Sequence, residues 1–222
     1  MMLERRVILL LPLVLLTAAA PPGPGMVRVR LETSAGDIVL ALDARRAPRT
    51  VANFMRYVDD GRLEGTEFYR SARRKGDPKY GFVQGGIATD ARRILPAVPL
   101  ERSDRTGIKH LSGTISMAHG IDPNSAAGNF SIMVGDNPGL DASPRSPGFA
   151  AFGRVLAGMD VVRRMLAMPT GGGRGVMRGQ MILKPVRILR ARRLDGAARP
   201  TGRPKPWLVI LPWQKGGSHP AR

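Results

Sequence analysis

The sequence predicts a mainly β protein, a closed eight-stranded antiparallel β-barrel capped by two α-helices. Three features lead there. Short segments rich in Val, Ile and Phe, bounded by Gly, Pro, Asn or Ser, recur about eight times along the chain. Only two stretches carry apolar residues at helical spacing. No strand–helix unit repeats, which argues against a parallel sheet and for one antiparallel sheet closed on itself.

In order, Val27, Val29 and Leu31 alternate with Arg28, Arg30 and Glu32, the pattern of a half-buried strand. A turn at Ser34–Asp37 returns the chain as Ile38–Leu42, completing a hairpin. Pro48 suits a first helical position, where its missing N–H costs nothing. Val51, Phe54, Met55 and Val58 then make one apolar helix face, and Gly61 ends it. Glu67–Ser71 and Tyr80–Gln84 read as strands around a polar loop with Gly76, Asp77 and Pro78. Simple alternation would place Phe68 and Arg70 on one face, and Phe82 with Gln84 likewise. An irregular stretch, 87–109, precedes strands at Leu111–Ala118, Asn129–Val134 and Phe149–Val155. Asp160 is expected to cap a second helix carrying Val161, Val162, Met165 and Leu166, broken by Gly171–Gly173. Met181–Ala191 is the last strand.

The first 20 residues have the layout of a secretory signal. Arg5 and Arg6 precede an apolar run from Val7, and Thr17–Ala20 offers small residues for cleavage. The run is too short to span a bilayer, so no membrane span is expected after cleavage. The chain is expected to divide into this signal, a linker at 21–26, a folded domain at 27–194 and a Pro-rich basic tail at 195–222. Periplasmic location follows as an expectation. The tail is expected to pack on the barrel or add an edge strand rather than to serve as a partner-docking arm.

Net charge is +18, from 29 Arg and 6 Lys among 222 residues. The arginines are scattered in pairs such as Arg45–Arg46 and Arg163–Arg164, with no nucleic-acid-binding motif among them, so nucleic acid is not the expected partner. There is no cysteine, and His110, His119 and His219 are not spaced as metal ligands, so neither disulfide, metal nor other cofactor is expected. Ser116, Ser125 and Ser131 lack the sharp-turn motif of a hydrolase nucleophile. A monomer is expected.

Several motifs fall in a fixed order: Ala47-Pro48-x-Thr50-Val51-x-Asn53-Phe54, Phe68-Tyr69-Arg70, Phe82-Val83-Gln84-Gly85-Gly86, Gly113–Ala118, Asn129-Phe130, Phe152-Gly153-Arg154-Val155 and Gly158–Val162. In that order they resemble the cyclophilins, peptidyl-prolyl cis-trans isomerases, over about Val27 to Arg193. The resemblance implies that Arg70 is catalytic and that Gln84 orients the substrate backbone. It places Phe82 and Phe130 in the apolar wall around the proline. Met117, Ala118, His119 and Gly120 would hold the residue before proline, mostly through main-chain groups, and Leu140 with Phe149 would close the far side. Ser131 stands where the family usually has the phenylalanine of the pocket floor, and Phe149 where it commonly has histidine. The family's tryptophan is missing from Gly135–Gly148.

The implied chemistry needs few groups. Twisting an X–Pro amide out of resonance meets a barrier of roughly 18–20 kcal/mol, crossed unaided in about 10–100 s. A catalyst must hold the ring, grip the flanking chain and stabilise the twisted, more basic prolyl nitrogen. A guanidinium, always charged and rich in N–H donors, suits the last task. Two functions are thus expected for proline-containing polypeptides: their isomerisation in support of folding or, alternatively, their binding with little turnover.

Overall fold

A computed structural model describes residues 23–208. The expected signal, 1–20, and the last part of the tail lie outside the described residues.

The first hairpin pairs β1 (Met26–Thr33) with β2 (Gly36–Asp43), Val29 opposite Leu40 and Leu31 opposite Ile38. Helix α1 (Pro48–Asp59) follows, with Pro48 in its first turn. Its amino end has no local side-chain cap. Instead the Glu101 carboxylate accepts from the N–H groups of Arg49 and Thr50 at 3.1 and 2.8 Å. An acid there also meets the positive end of the helix dipole.

Strands β3 (Glu67–Arg74) and β4 (Asp77–Gly86) run further than the sequence suggested. Arg74 pairs with Asp77, so the expected polar loop contracts to a turn at Lys75–Gly76, where Gly76 supplies φ 90°. A single-turn helix α2 (Ser103–Thr106) lies in the irregular stretch before β5 (Thr114–Met117), β6 (Asn129–Val134) and β7 (Ala150–Ala157). Helix α3 (Met159–Ala167) buries Val161, Val162, Met165 and Leu166. Asp160 does not cap it. Gly158 holds the cap position at φ 90°, and Asp160 pairs with Arg164 one turn along. The two-residue β8 (Thr170–Gly171) leads to β9 (Met181–Arg193).

The sheet order is β1-β2-β7-β5-β6-β4-β3-β9-β8, and β1 also pairs with β9. Eight strands therefore close into an antiparallel barrel, with β8 a short appendage. Inside it, Phe54 of α1 meets Phe130 and Phe152 at ring-centroid distances of 5.3 Å, and Phe68 meets Phe130 at 5.6 Å. Edge-on and tilted rings at this spacing add to the burial of their area.

Residues after β9 are part of this structure as far as Leu208. Asp195 pairs with Arg28, and Thr201 donates its N–H to Asp60 at 2.7 Å. Arg62, 2% exposed, donates to Asp60 at 2.8 Å and to the Pro204 carbonyl at 3.2 Å. The Trp207 ring lies 4.7 Å from the Arg62 guanidinium and 5.1 Å from that of Arg93. Burial would raise the Asp60 carboxyl, but hydrogen bonds from Thr201 and Arg62 outweigh it and hold its pKa below the usual range. Among the described residues no helix is long and apolar enough to cross a membrane, and no cluster of candidate metal ligands forms.

Candidate active site

The site is built on the outer face of β3, β4, β6 and β5, and a bulge sets it up. Phe68 pairs with Gly85 but Arg70 pairs with Gln84, so the register slips by one residue at Tyr69. A slip of one reverses which face a side chain takes. Phe68 is therefore in the core while Arg70 faces outward beside Gln84, correcting the expectation that the two share a face. Gly85 makes room for this crossing: a Cβ there would sit 2.8 Å from the Phe68 ring.

From Arg70 a polar row runs straight across the sheet. Gln84 lies opposite Ser131 on β6, and Ser131 opposite Ser116 on β5. In the next row Phe82 lies opposite Met133. Alternation along β6 and β5 sends Phe130, Ile132, Ile115 and Met117 inward, and all four belong to the core. Phe130 is thus a barrel residue held against Phe54 and Phe68, not a pocket wall. The Met117 side chain, 1% exposed, is likewise core, and Ala118 is the first residue of that segment free of the ladder. Met133, two positions after Ser131, shares its side of the sheet but is 0% exposed, so it packs beneath the face and offers no surface to a substrate. The Ser131 hydroxyl has no hydrogen-bond partner among the described residues.

Arg70 is half-buried and fixed from three directions. Its Nη1 donates to Gln84 Oε1 at 2.9 Å, its Nε to Gln180 Oε1 at 2.8 Å, and its Nη2 to the Val176 carbonyl at 3.4 Å. Gln84 is oriented in turn by donating to the Tyr69 hydroxyl at 3.0 Å. The guanidinium carbon lies 5.1 Å from the Phe82 ring centre. Burial lowers the Arg70 pKa and pushes the Tyr69 phenol up to about 12, so the pair is a cation beside a neutral hydroxyl near neutrality. Three of the five guanidinium N–H groups are engaged, leaving two for a substrate.

The loops at the other side are tied together. The His119 ring stacks on Phe149 at 4.3 Å and 20°, and its Nε2 lies 2.9 Å from the Gly148 carbonyl. Gly120 donates to Ser125 Oγ at 2.8 Å, and Phe149 donates to the Leu140 carbonyl at 3.0 Å. Behind them, His110 Nδ1 is 2.7 Å from Asp141 and its Nε2 is 2.8 Å from Ser116 Oγ. That order of groups resembles a nucleophilic triad, but Ser116 is 2% exposed and its main chain pairs with Ser131 and Ala151. It anchors the 136–149 loop to the barrel. Burial lowers the His110 pKa against the opposing pull of Asp141, keeping the ring neutral.

The sequence profile described as cyclophilin type peptidyl-prolyl cis-trans isomerase/CLD matches residues 28–193. The chain belongs to this family. It is 39% identical over 142 residues to peptidyl-prolyl cis-trans isomerase A of Dickeya dadantii, covering 64% of this chain and 72% of that protein. It is 37% identical over 153 residues to a peptidyl-prolyl cis-trans isomerase of Streptomyces antibioticus, covering 68% and 89%. A cyclophilin-type isomerase of Cryptosporidium parvum has the same fold, with TM-score 0.61 at 18% identity over 78% of this chain and 99% of that one.

Within this cyclophilin barrel, Arg70, Gln84, Phe82 and Ser131 come together on one face, with Leu140, Phe149, His119, Ala118 and Gly120 on the adjoining loops. The side chains of Phe130 and Met117 do not reach it. Gln180 was missed because it ends a Gly- and Met-containing stretch that reads as a linker, and only the β9 register brings it to Arg70.

Proposed function

We propose that Arg70 and Gln84 carry the reaction of this peptidyl-prolyl cis-trans isomerase. A proline ring rests against Phe82, with Ser131 as a polar floor, while Ala118–Gly120 hold the residue before it. As the amide twists, the prolyl nitrogen regains its lone pair and becomes a better acceptor. Arg70 donates to it more strongly than in either planar state, and this difference lowers the barrier. Gln84 holds both the guanidinium and the substrate backbone. The observation that carries this reading is the half-buried guanidinium pinned by Gln84, Gln180 and Val176 with two N–H groups to spare.

The test is isomerisation of a short X–Pro peptide by the purified protein beside Arg70→Ala. Acceleration that falls about tenfold or more in the variant is expected, the loss of one charge-assisted hydrogen bond. Ser131, in place of an aromatic floor, favours a second reading in which the face binds proline segments with little turnover. Binding without acceleration by either protein would select it. The layout of residues 1–20 supports export and clients among exported proteins. The mature amino terminus, read by mass spectrometry on periplasmic fractions, tests the export.

A further inference from the structure

The catalytic face continues into a cleft that ends on unpaired positive charge. Its walls are Phe82, Leu140, Gly139, Pro138, Asn137, Asp136 and Arg74, enclosing about 640 Å³. Phe82 belongs to both regions, so the cleft opens directly from the proline position. The register fixes its direction. Ala118 lies at the Asn129 end of the polar row, because Met117 pairs with Phe130. Arg74 and Asp136 lie at the opposite end, beyond the pairing of Gly81 with Val134. Three strand steps separate Gln84 from Gly81, roughly 10 Å. A substrate whose residue before proline sits at Ala118–Gly120 therefore sends the residues after proline toward Arg74.

Arg74 is placed to receive a charge. Its guanidinium lies 5.3 Å from the Tyr80 ring centre, and one Nη2 hydrogen is held by the Asp136 main-chain carbonyl. Stacking and one fixed hydrogen bond orient the group without neutralising it. Among the described residues no ion pair engages Arg74, Lys75 or Lys79. The neighbouring Arg73 is spent differently, donating to the Leu166 and Met168 carbonyls at the end of α3. Two carboxylates are close in the chain. Asp136 accepts from the Ser112 N–H at 2.9 Å, and Asp77 faces the Lys79 N–H at 3.4 Å. Of the cleft's two charged residues, the Asp136 carboxylate is already turned to a main-chain donor, while the Arg74 guanidinium has no ion-pair partner among the described residues.

We propose that this cleft binds an acidic side chain one or two residues after the substrate proline, so that the enzyme prefers X–Pro segments followed by Asp or Glu. A guanidinium fork matches a carboxylate in geometry and charge. The proposal rests on the isomerase reading and specifies its substrate class.

The experiment uses the full chain and two peptides of identical sequence, one with Glu and one with Gln at the second position after proline. At low ionic strength the Glu peptide is expected to show kcat/KM about threefold higher, the worth of one exposed ion pair. The ratio should approach one at high salt, where exposed pairs are screened. Arg74→Gln should bring it near one at low salt, while Arg154→Gln, an equal loss of charge at an exposed site away from the cleft, should leave it high. Equal rates for both peptides, with Arg70-dependent activity intact, overturn the proposal. A preference that survives Arg74→Gln also overturns it, by assigning the effect to net charge. No acceleration of either peptide would overturn the isomerase reading instead.

Discussion

Gln180→Ala separates the role of the guanidinium from the role of its orientation. Three acceptors hold Arg70, and Gln180 takes the Nε hydrogen at 2.8 Å. Removing that side chain leaves Gln84 and the longer contact to Val176, which fix the plane less well. A hydrogen bond to a charged group contributes about 1.5–3 kcal/mol. Arg70 is half-exposed, so the low end applies, and kcat should fall about tenfold. KM should stay within about twofold, because orientation of the donor matters most at the twisted state. The fold should survive, since the Gln180 main chain is anchored separately, accepting from Ser71 N and donating to the Met177 carbonyl. Kinetics of cis–trans exchange in an X–Pro peptide, followed by NMR at several substrate concentrations, read both constants. Gln180→Asn, one methylene shorter, should recover part of the loss. A kcat unchanged in Gln180→Ala would refute the reasoning and leave Gln84 and the Val176 carbonyl as the positioners. A rise in KM alone would make Gln180 a substrate contact.

Four further outcomes are expected. Ser131→Phe should lower KM for an Ala–Pro peptide about tenfold by adding apolar surface to the pocket floor, roughly 60 Å² at 25 cal/mol per Å², and an unchanged KM would place the proline elsewhere. Gly81→Ala should cost at least about 3 kcal/mol in urea denaturation, because Gly81 has φ +144° and a Cβ would meet the Ala72 carbonyl oxygen at 2.0 Å. Trp207→Ala should cost about 1–2 kcal/mol by loss of its stacking on Arg62 and Arg93, and no change would mean that this segment is undocked in solution. His110 gives a pH dependence of known sign. Its pKa is lowered on folding from an unfolded value of 6.5, so the unfolded chain takes up the proton first as pH falls. Stability is then present in full above about pH 6.5 and declines below it. The urea midpoint should fall from about pH 7 to about pH 5, with a smaller fall in His110→Gln.

The fold was legible because its signals are local and repeated. Alternation in Val27–Leu31 and helical spacing from Val51 to Val58 each state their own burial, and Pro48 marks a helix start by its missing donor. Features set by distant partners were not legible. Glu101 caps α1 across the fold, whereas Asp160, within the first turn of α3, pairs with Arg164 instead. The bulge at Tyr69 leaves no mark in composition, yet it decides that Arg70 faces outward. Motif order points Phe130 to the pocket wall, and strand alternation, applied with the register in hand, returns its side chain to the core. Gln180 depends wholly on how β9 lies against β3.

The pairing of β1 with β9 bears on how this enzyme comes to exist. Leu31 and Ala191 are neighbours in the barrel, so the first strand waits for the last before the sheet can close. Contacts of such long sequence separation make folding slow, because the loop must be closed before its reward is gained. Until then both β1 and its future neighbours present unpaired edges, open to wrong partners. A protein that hastens the folding of other chains is, by its own topology, slow to be finished.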